Sequence, residues 1–469
     1  MLSRNVILST TPEPIPARSP DSHFYGKALQ MGSNRAKVVF TLFVLLGINT
    51  MNFFDRQVLA AVQEPIKEEW NLSDAQLGWL GTAFTLLYAA VGLPLGRWAD
   101  VGRRTWILAG GAALWSVLTA ACGWAWNFAS LFALRLGVGV GEASCAPTAN
   151  SLLGDLFPPQ HRARAIAVFM VGLPLGLGLG LIIGGKLGLE YGWRTALFVA
   201  GGPGMVLALL ALFIPEPARG AAEGRAVGAR QRPGSPLLVV LRIPTMWWII
   251  ASGAIHNFNM YAQGQFLSSF MMRYHELDIR KAGMISGIVY GFGGIGILFG
   301  GWACDLLAKR RISGRLEVAT LALLVYVPSW FIALAQPRGN VWGFAAWVLP
   351  GIMLSYVYYS GVYAAIQDII EPALRGTAMA IYFFAMYLLG ASLGPVVCGG
   401  VSDYFAHQAM LAEGATQLSA TAKAIGLYHA MYLLPSLGIA LVMVLFAASR
   451  TIEKDHEKLQ EWMETQGKG

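Results

Sequence analysis

Apolar residues run through this chain in long blocks separated by short polar breaks. Twelve such blocks can be drawn, near 36–62, 74–99, 104–125, 127–155, 162–188, 193–214, 243–272, 280–304, 315–335, 340–369, 375–402 and 425–448. At about 1.5 Å of rise per residue, a helix of twenty residues crosses a hydrocarbon layer about 30 Å thick. The pattern predicts an all-α membrane protein with twelve transmembrane helices. One break differs from the rest. Residues 215–242 hold Pro215, Pro217, Pro233 and Pro236 among Arg219, Arg225, Arg230 and Arg232, which reads as a basic linker between two sets of six spans. The expected organisation is a disordered, proline-rich tail over 1–35, a six-helix bundle over 36–214, the linker 215–242, a second six-helix bundle over 243–448, and a tail over 449–469. The first 35 residues carry no short apolar core ahead of a small-residue cleavage site, so no cleavable leader is expected.

Composition agrees with the pattern. Only 13% of the 469 residues are charged, about half the usual share of a soluble domain. The net charge of +8 matters less than its placement. With the N-terminus inside, the tails and the loops after spans two, four, six, eight and ten hold 24 of the 34 Lys and Arg, and the opposite loops hold 8. Basic residues concentrate on the cytoplasmic side of membrane proteins, so both termini are expected there. The same distribution leaves no reason to invoke nucleic acid. Cys122, Cys145, Cys304 and Cys398 all fall in apolar runs without metal-ligand spacing, and read as small hydrophobes. No cofactor or metal is expected.

The two halves repeat. Gly96-Arg-Trp-Ala-Asp100 follows span two, and Gly301-Trp-Ala-Cys-Asp305 follows span eight. Asp155, Pro159 and Arg162 follow span four with the same gaps as Asp368, Pro372 and Arg375 after span ten. Spans five and eleven are both glycine-rich, with Gly172, Gly176, Gly180, Gly184 and Gly185 in one and Gly390, Gly394, Gly399 and Gly400 in the other. Matches at corresponding places argue for a duplicated fold with a pathway between the halves.

Four ionisable residues lie inside spans. Asp55 and Arg56 sit in span one, and Arg135 and Glu142 in span four. A charge at bilayer depth costs about 2.5–3.5 kcal/mol on insertion scales and marks a pathway or a partner. Arg135 and Glu142 are two helical turns apart on one face, with Gly137, Gly139 and Gly141 between them. Asp55 and Arg135 are expected at similar depth, with Glu142 near the midplane. One reading is a proton-exchanging network of Asp55, Arg56, Arg135 and Glu142 that lines a cavity. The other is a static ion pair that fixes helix packing.

The second half is poorer in charge. His256 and Asn257 in span seven, and Tyr356, Tyr359 and Tyr363 along one face of span ten, are candidates for cavity lining, with Phe84 and Tyr88 in span two. A tyrosine stripe equally suits helix packing or an interfacial belt. On this reading Arg56 and Arg135, with Glu142, meet the polar head of a substrate and the aromatic side meets its apolar part. Gly96, Asp100, Arg103 and Arg104 read as a cytoplasmic latch between the halves, with Asp305 in the weaker copy, unless they form only a solvated turn. There is no HExxH and no complete P-loop motif. No catalytic residue is therefore assigned, and the energy for any transport would come from ion gradients.

At these residues the sequence resembles the Major Facilitator Superfamily across nearly all of 36–450. Gly96, Asp100, Gly102, Arg103 and Arg104 resemble its signature after span two, one residue short between Asp100 and Gly102. Arg135-Leu-Gly-Val-Gly-Val-Gly141 resembles its span-four signature. Asn52-Phe-Phe-Asp-Arg56 and Gly139-Val-Gly-Glu142-Ala, with Pro147 and Thr148, resemble the spinster group, and the short loops resemble a bacterial member. The resemblance implies two pseudo-symmetric six-helix bundles working by alternating access in a bacterial inner membrane. It implies a lysolipid or a sphingosine-1-phosphate-like amphipathic substrate, with proton coupling, in a monomer. A carrier of a small organic anion and a non-transporting membrane sensor are the alternatives.

Overall fold

The computed structural model describes residues 21–157, 159–217, 236–371 and 374–467. Its helices are α1 (Asp21–Trp70), α2 (Asp74–Val101), α3 (Arg104–Ala121), α4 (Phe128–Glu142), α5 (Cys145–Leu156), α6 (Pro159–Tyr191), α7 (Trp193–Ala211), α8 (Pro236–Leu241), α9 (Pro244–Arg273), α10 (Ile279–Gly291), α11 (Gly293–Ala308), α12 (Gly314–Leu334), α13 (Val341–Ser355), α14 (Val357–Ile369), α15 (Arg375–Ala385), α16 (Leu393–Ala412), α17 (Ala420–Met431) and α18 (Leu433–Gly467). Among the described residues there is no strand, and ten helical stretches are long and apolar enough to cross a bilayer. Helices α2 and α9, with 28 and 30 residues, also have the length and complete the twelve expected spans. The six-span halves are α1–α7 and α9–α18.

Short polar residues start several of these helices. Ser73 and Gln76 form a reciprocal capping box on α2, with side chain to backbone distances of 3.1 and 2.8 Å. Asn127 accepts from Ser130 N at 2.8 Å on α4, and Asp278 from Lys281 N at 2.8 Å on α10. Span four is broken after Glu142, and its counterpart, span ten, is broken at Tyr356. Span eleven contains a π-helical turn, Met386–Ala391, between α15 and α16. Such turns gather at functional sites in helices.

The repeats read from the sequence occupy equivalent places. Arg104, at the start of α3, pairs with Asp155 at the end of α5. Arg315, at the start of α12, pairs with Asp368 at the end of α14 at 2.6 Å. Behind span six, Glu216 accepts from Thr105 N and Oγ1 at 3.0 Å. Behind span twelve, Glu453 accepts from Ser313 Oγ at 2.9 Å. Burial raises the Glu216 carboxyl, but the hydrogen bonds from Arg104 and Thr105 outweigh it and hold the group below the ordinary glutamate value.

Two expectations change at the chain ends. The stretch 21–35, expected as disordered tail, continues α1 as helix, in keeping with its good helix formers Lys27, Ala28, Leu29 and Gln30. Residues 449–467 extend α18 and tie down helix ends of their own half: Asp455 accepts from Thr245 N at 3.0 Å at the start of α9, and His456 Nδ1 donates to the Asp368 carbonyl at 2.7 Å. Residues 1–20 and the linker core 218–235 lie outside the described residues.

The halves meet along two seams, α2 against α16 and α6 against α10. Backbones touch there. A Cβ on Gly399 would lie 2.2 Å from the Asp74 carbonyl oxygen, and one on Gly287 would lie 2.6 Å from that of Gly178. Small residues let helices approach this closely in a membrane. Both seams run toward the face opposite the 215–242 linker, where the halves are joined.

Candidate functional site

The four intramembrane charges come together. Arg56 Nε donates to Glu142 Oε2 at 2.7 Å, linking spans one and four. Its other nitrogens donate to Asn52 Oδ1 at 2.9 Å and to the Tyr261 hydroxyl at 3.2 Å. The guanidinium lies 4.8 Å from the Phe53 ring centroid, 4.6 Å from Phe84 and 5.5 Å from Tyr88. Arg135 is not the partner of Glu142. It reaches the backbone carbonyl of Asp55 at 3.4 Å and sits 5.6 Å from the Phe84 ring. The Asp55 carboxylate accepts from Thr119 at 3.4 Å. Arg56 is 7% exposed, Arg135 1%, and Asp55 and Glu142 0%, so water does not screen the group in this conformation.

Local sequence explains the proximity. Gly139 lets α4 press onto α2, since a Cβ there would lie 2.3 Å from the Phe84 carbonyl oxygen. The 52–56 register puts Asn52 and Arg56 one turn apart on the same face of α1. Glu142 ends α4, and its carboxylate faces Arg56 of α1. One oxygen each of Asp55 and Glu142, together with Arg135 Nε, has no hydrogen-bond partner in the protein.

The site lies between the halves. Tyr261 comes from α9 and Tyr387 from the π turn, both in the second half. Tyr387 stacks 4.9 Å from Tyr88, and Tyr261 lies 6.1 Å from Phe84. The expected lining residues of the second half gather beside them. His256 lies flat on Tyr358 at 3.9 Å and edge-on to Tyr359 at 5.0 Å. Tyr359 meets the rings of Tyr356, Tyr358 and Tyr363 at 5.9, 5.8 and 5.6 Å. Asn257 instead donates to the Gly253 carbonyl on its own helix at 3.0 Å and packs against Gly390, which makes its side chain a packing element here. The sequence offered no signal for Tyr261 or Tyr387 beyond their being aromatic.

The residues expected as a latch are arranged differently. Helix α2 runs through Gly96 and Asp100, but their side chains lie outside the described part of the structure. Arg103 points outward over Trp106. Arg104 is buried and gives its guanidinium to Asp155, Glu216, Ser151 and the Pro217 carbonyl, all in its own half. Asp305 is exposed and meets Arg315 at 3.6 Å, not Lys309 or Arg310. The geometric reason is that an arginine at the first turn of α3 or α12 is within reach of the adjacent helix ends and not of the other half.

The ion pairs that join the halves, among the described residues, lie at the opposite face. Arg273, ending α9, donates to both Glu64 oxygens at 2.8 and 2.7 Å and to both Asp74 oxygens at 2.7 and 2.8 Å. Lys67 also pairs with Asp74. Ser402 donates to Asp74 Oδ2 at 2.6 Å. Asp403 of α16 accepts from Asp74 N and Ala75 N at 2.8 Å, so the second half supplies an N-terminal cap to α2 of the first. Beneath this layer Gln63 donates to the Gln265 carbonyl at 2.6 Å and to Ser269 at 2.6 Å. None of this lock was expected from the sequence.

His275, just beyond α9, is buried among Phe270, Tyr274 and Phe344, and neither ring nitrogen has a partner. Burial holds its pKa down to about 4, from 6.5. The folded state therefore binds fewer protons than the unfolded one between these values. Its contribution is intact above pH 6.5 and is lost as the pH falls toward 4. Thermal melts of the His275→Phe variant should lose that acid-side decline, worth about 1–2 kcal/mol once partial solvation at the membrane face is allowed for.

Comparison with known proteins gives the same placement. Residues 45–395 match the Major Facilitator Superfamily profile. The chain is 31% identical over 389 residues to an MFS-type efflux pump of Mycolicibacterium smegmatis, covering 79% of this chain and 86% of that one. It is 30% identical over 404 residues to mouse protein spinster homolog 1, covering 79% and 74%. The crystal structure of a bacterial homolog of the human lysosomal transporter spinster, inward-facing and unoccupied, superposes with a TM-score of 0.81 at 28% identity, over 89% of this chain and 98% of that one. The chain is thus a multi-pass membrane transporter that belongs to the Major Facilitator Superfamily, within its spinster group.

Proposed function

We propose that this protein is a secondary active transporter that moves a lysolipid or a sphingosine-1-phosphate-like amphiphile by alternating access, coupled to protons. The observation that carries the reading is the buried Arg56–Glu142 pair at 2.7 Å, held between Asn52 of its own half and Tyr261 of the other. A buried arginine suits a phosphate head, since its planar fork binds oxyanions in pairs. The rings of Phe84, Tyr88, Tyr261 and Tyr387 beside it suit an apolar chain. Exchange of the Glu142 partner between Arg56 and a substrate phosphate would couple binding to protonation. On the basic-residue distribution the linker face is cytoplasmic, so the locked face is the outer one and the conformation is inward-facing. The protein works as a monomer in a bacterial inner membrane and performs no catalysis.

The likeness to an efflux pump favours a second reading, export of a small organic anion or drug through the same cavity. Reconstituted flux separates the two. Proteoliposomes containing the full chain are given labelled lysolipids, or a soluble carboxylate, with and without an imposed pH gradient. Gradient-driven lysolipid flux is expected. Flux of the carboxylate alone would favour the second reading, and no flux of either would favour a sensor.

A further inference from the structure

A cluster of uncharged polar groups lies next to the ion-pair site and plays no part in it. Gln57 follows Arg56 on α1 and points toward α9. Gln57 Oε1 and the hydroxyls of Tyr290 and Tyr356 are all buried, and none has a hydrogen-bond partner in the protein. They come from both halves, α1 on one side and α10 and the α13–α14 junction on the other. Gly264 joins them. A Cβ there would lie 3.3 Å from Gln57 Nε2 and 3.7 Å from the Tyr290 hydroxyl. Gly293, three residues beyond Tyr290, packs against the Tyr356 ring, which lies 5.9 Å from that of Tyr359, so the cluster continues into the tyrosines of span ten.

Unanswered buried polar atoms are costly, and several in one place are unusual in a folded interior. Nothing in the cluster is ionised at neutral pH, so it has no use for a charged head. An amide oxygen beside phenol hydroxyls matches a group that both donates and accepts, which is the chemistry of an alcohol. We propose that these residues form a second, neutral subsite that holds the hydroxyl-bearing part of a single-chain amphiphile while its anionic group meets Arg56. This rests on the proposed cargo reading and adds a selectivity to it: the protein distinguishes amphiphiles by a free hydroxyl close to the head.

The test uses the full chain in nanodiscs and two probes, an alkyl glycerol phosphate with its free 2-hydroxyl and the same molecule lacking it. The wild type should bind the first at least about tenfold tighter, because a site built to hydrogen-bond an alcohol rejects the analogue without one. Tyr290→Phe and Tyr356→Phe should each shrink this ratio by lowering affinity for the hydroxylated probe only. Neither variant should melt lower than the wild type without ligand, since each loses an unanswered oxygen. Gly264→Ala, which sets a methyl group among the same atoms, should shrink the ratio as well. Equal binding of both probes by the wild type, or a ratio unchanged in all three variants, overturns the proposal. If neither amphiphile binds, the cargo reading fails, and free glycerol decides the subsite. Saturable thermal protection of the wild type that is lost in Gly264→Ala supports it, and no such protection overturns it.

Discussion

Glu142→Gln should abolish the dependence of transport on a pH gradient while leaving a folded protein that still exchanges substrate. The geometry separates the two jobs of this carboxylate. Its Oε2 accepts from Arg56 Nε at 2.7 Å, and Oε1 has no protein partner. A glutamine keeps an oxygen for Arg56 but cannot take up or release a proton. Removing one charge of a buried pair costs about 3–5 kcal/mol when the other is left bare. Arg56 is not left bare. Asn52 and Tyr261 still accept from it, and Phe53, Phe84 and Tyr88 surround its guanidinium, each ring contributing about 0.5–2 kcal/mol. The variant should therefore melt lower but remain folded. The measurement is counterflow against pH-driven uptake in the same proteoliposomes. Wild-type acid dependence in Glu142→Gln would remove Glu142 from the coupling and leave Asp55, whose Oδ1 is equally unanswered, as the group to test with Asp55→Asn.

What the sequence revealed follows from rarity. A charge in a twenty-residue apolar run stands out, so Asp55, Arg56, Arg135 and Glu142 could be picked from the chain alone. The partner of each could not. Depth placed Arg135 near Asp55, but it could not say that the carboxylate of Glu142 meets Arg56 of span one. The spans were legible from length and hydropathy, and the duplication from spacing: Asp155 and Asp368 do occupy equivalent ends, each held by an arginine at the start of the third span of its half. For Arg104 the signature says which residues recur and not which neighbours they reach in this conformation, Asp155, Ser151 and Glu216 of its own half. The lock was illegible for another reason. Glu64, Lys67, Asp74, Arg273 and Asp403 sit at span ends, where charges are commonplace, and the contacts they make cross up to 329 positions of sequence. Tyr261 and Tyr387 are two aromatics among many.

Arg273→Ala should open the locked face. Arg273 is the cation that ties both Glu64 and Asp74 of the first half to the second, and its side chain is only 8% exposed. Without it, two carboxylates remain beside a single cation, Lys67, with Asp403 close by on the Asp74 backbone. Taking one partner from a buried charge network costs about 3–5 kcal/mol, and that penalty falls on the closed state alone, because in the open state water solvates the same carboxylates. Since about 1.4 kcal/mol is a factor of ten, the closed-to-open ratio should drop by roughly two to three and a half powers of ten. The readout is the reactivity of Ser269→Cys, a buried position under the lock, toward a membrane-impermeant thiol reagent added from that face. Labelling should rise steeply in Arg273→Ala. Asp403→Ala, which removes only the shared cap on α2, should raise it less, since a cap is worth about 0.5–2 kcal/mol. Unchanged labelling in Arg273→Ala would mean that the glycine seams hold the face shut without the ions. In that case Gly287→Val, which forces α10 off α6 where Gly178 and Gly287 touch, is the substitution that should open it.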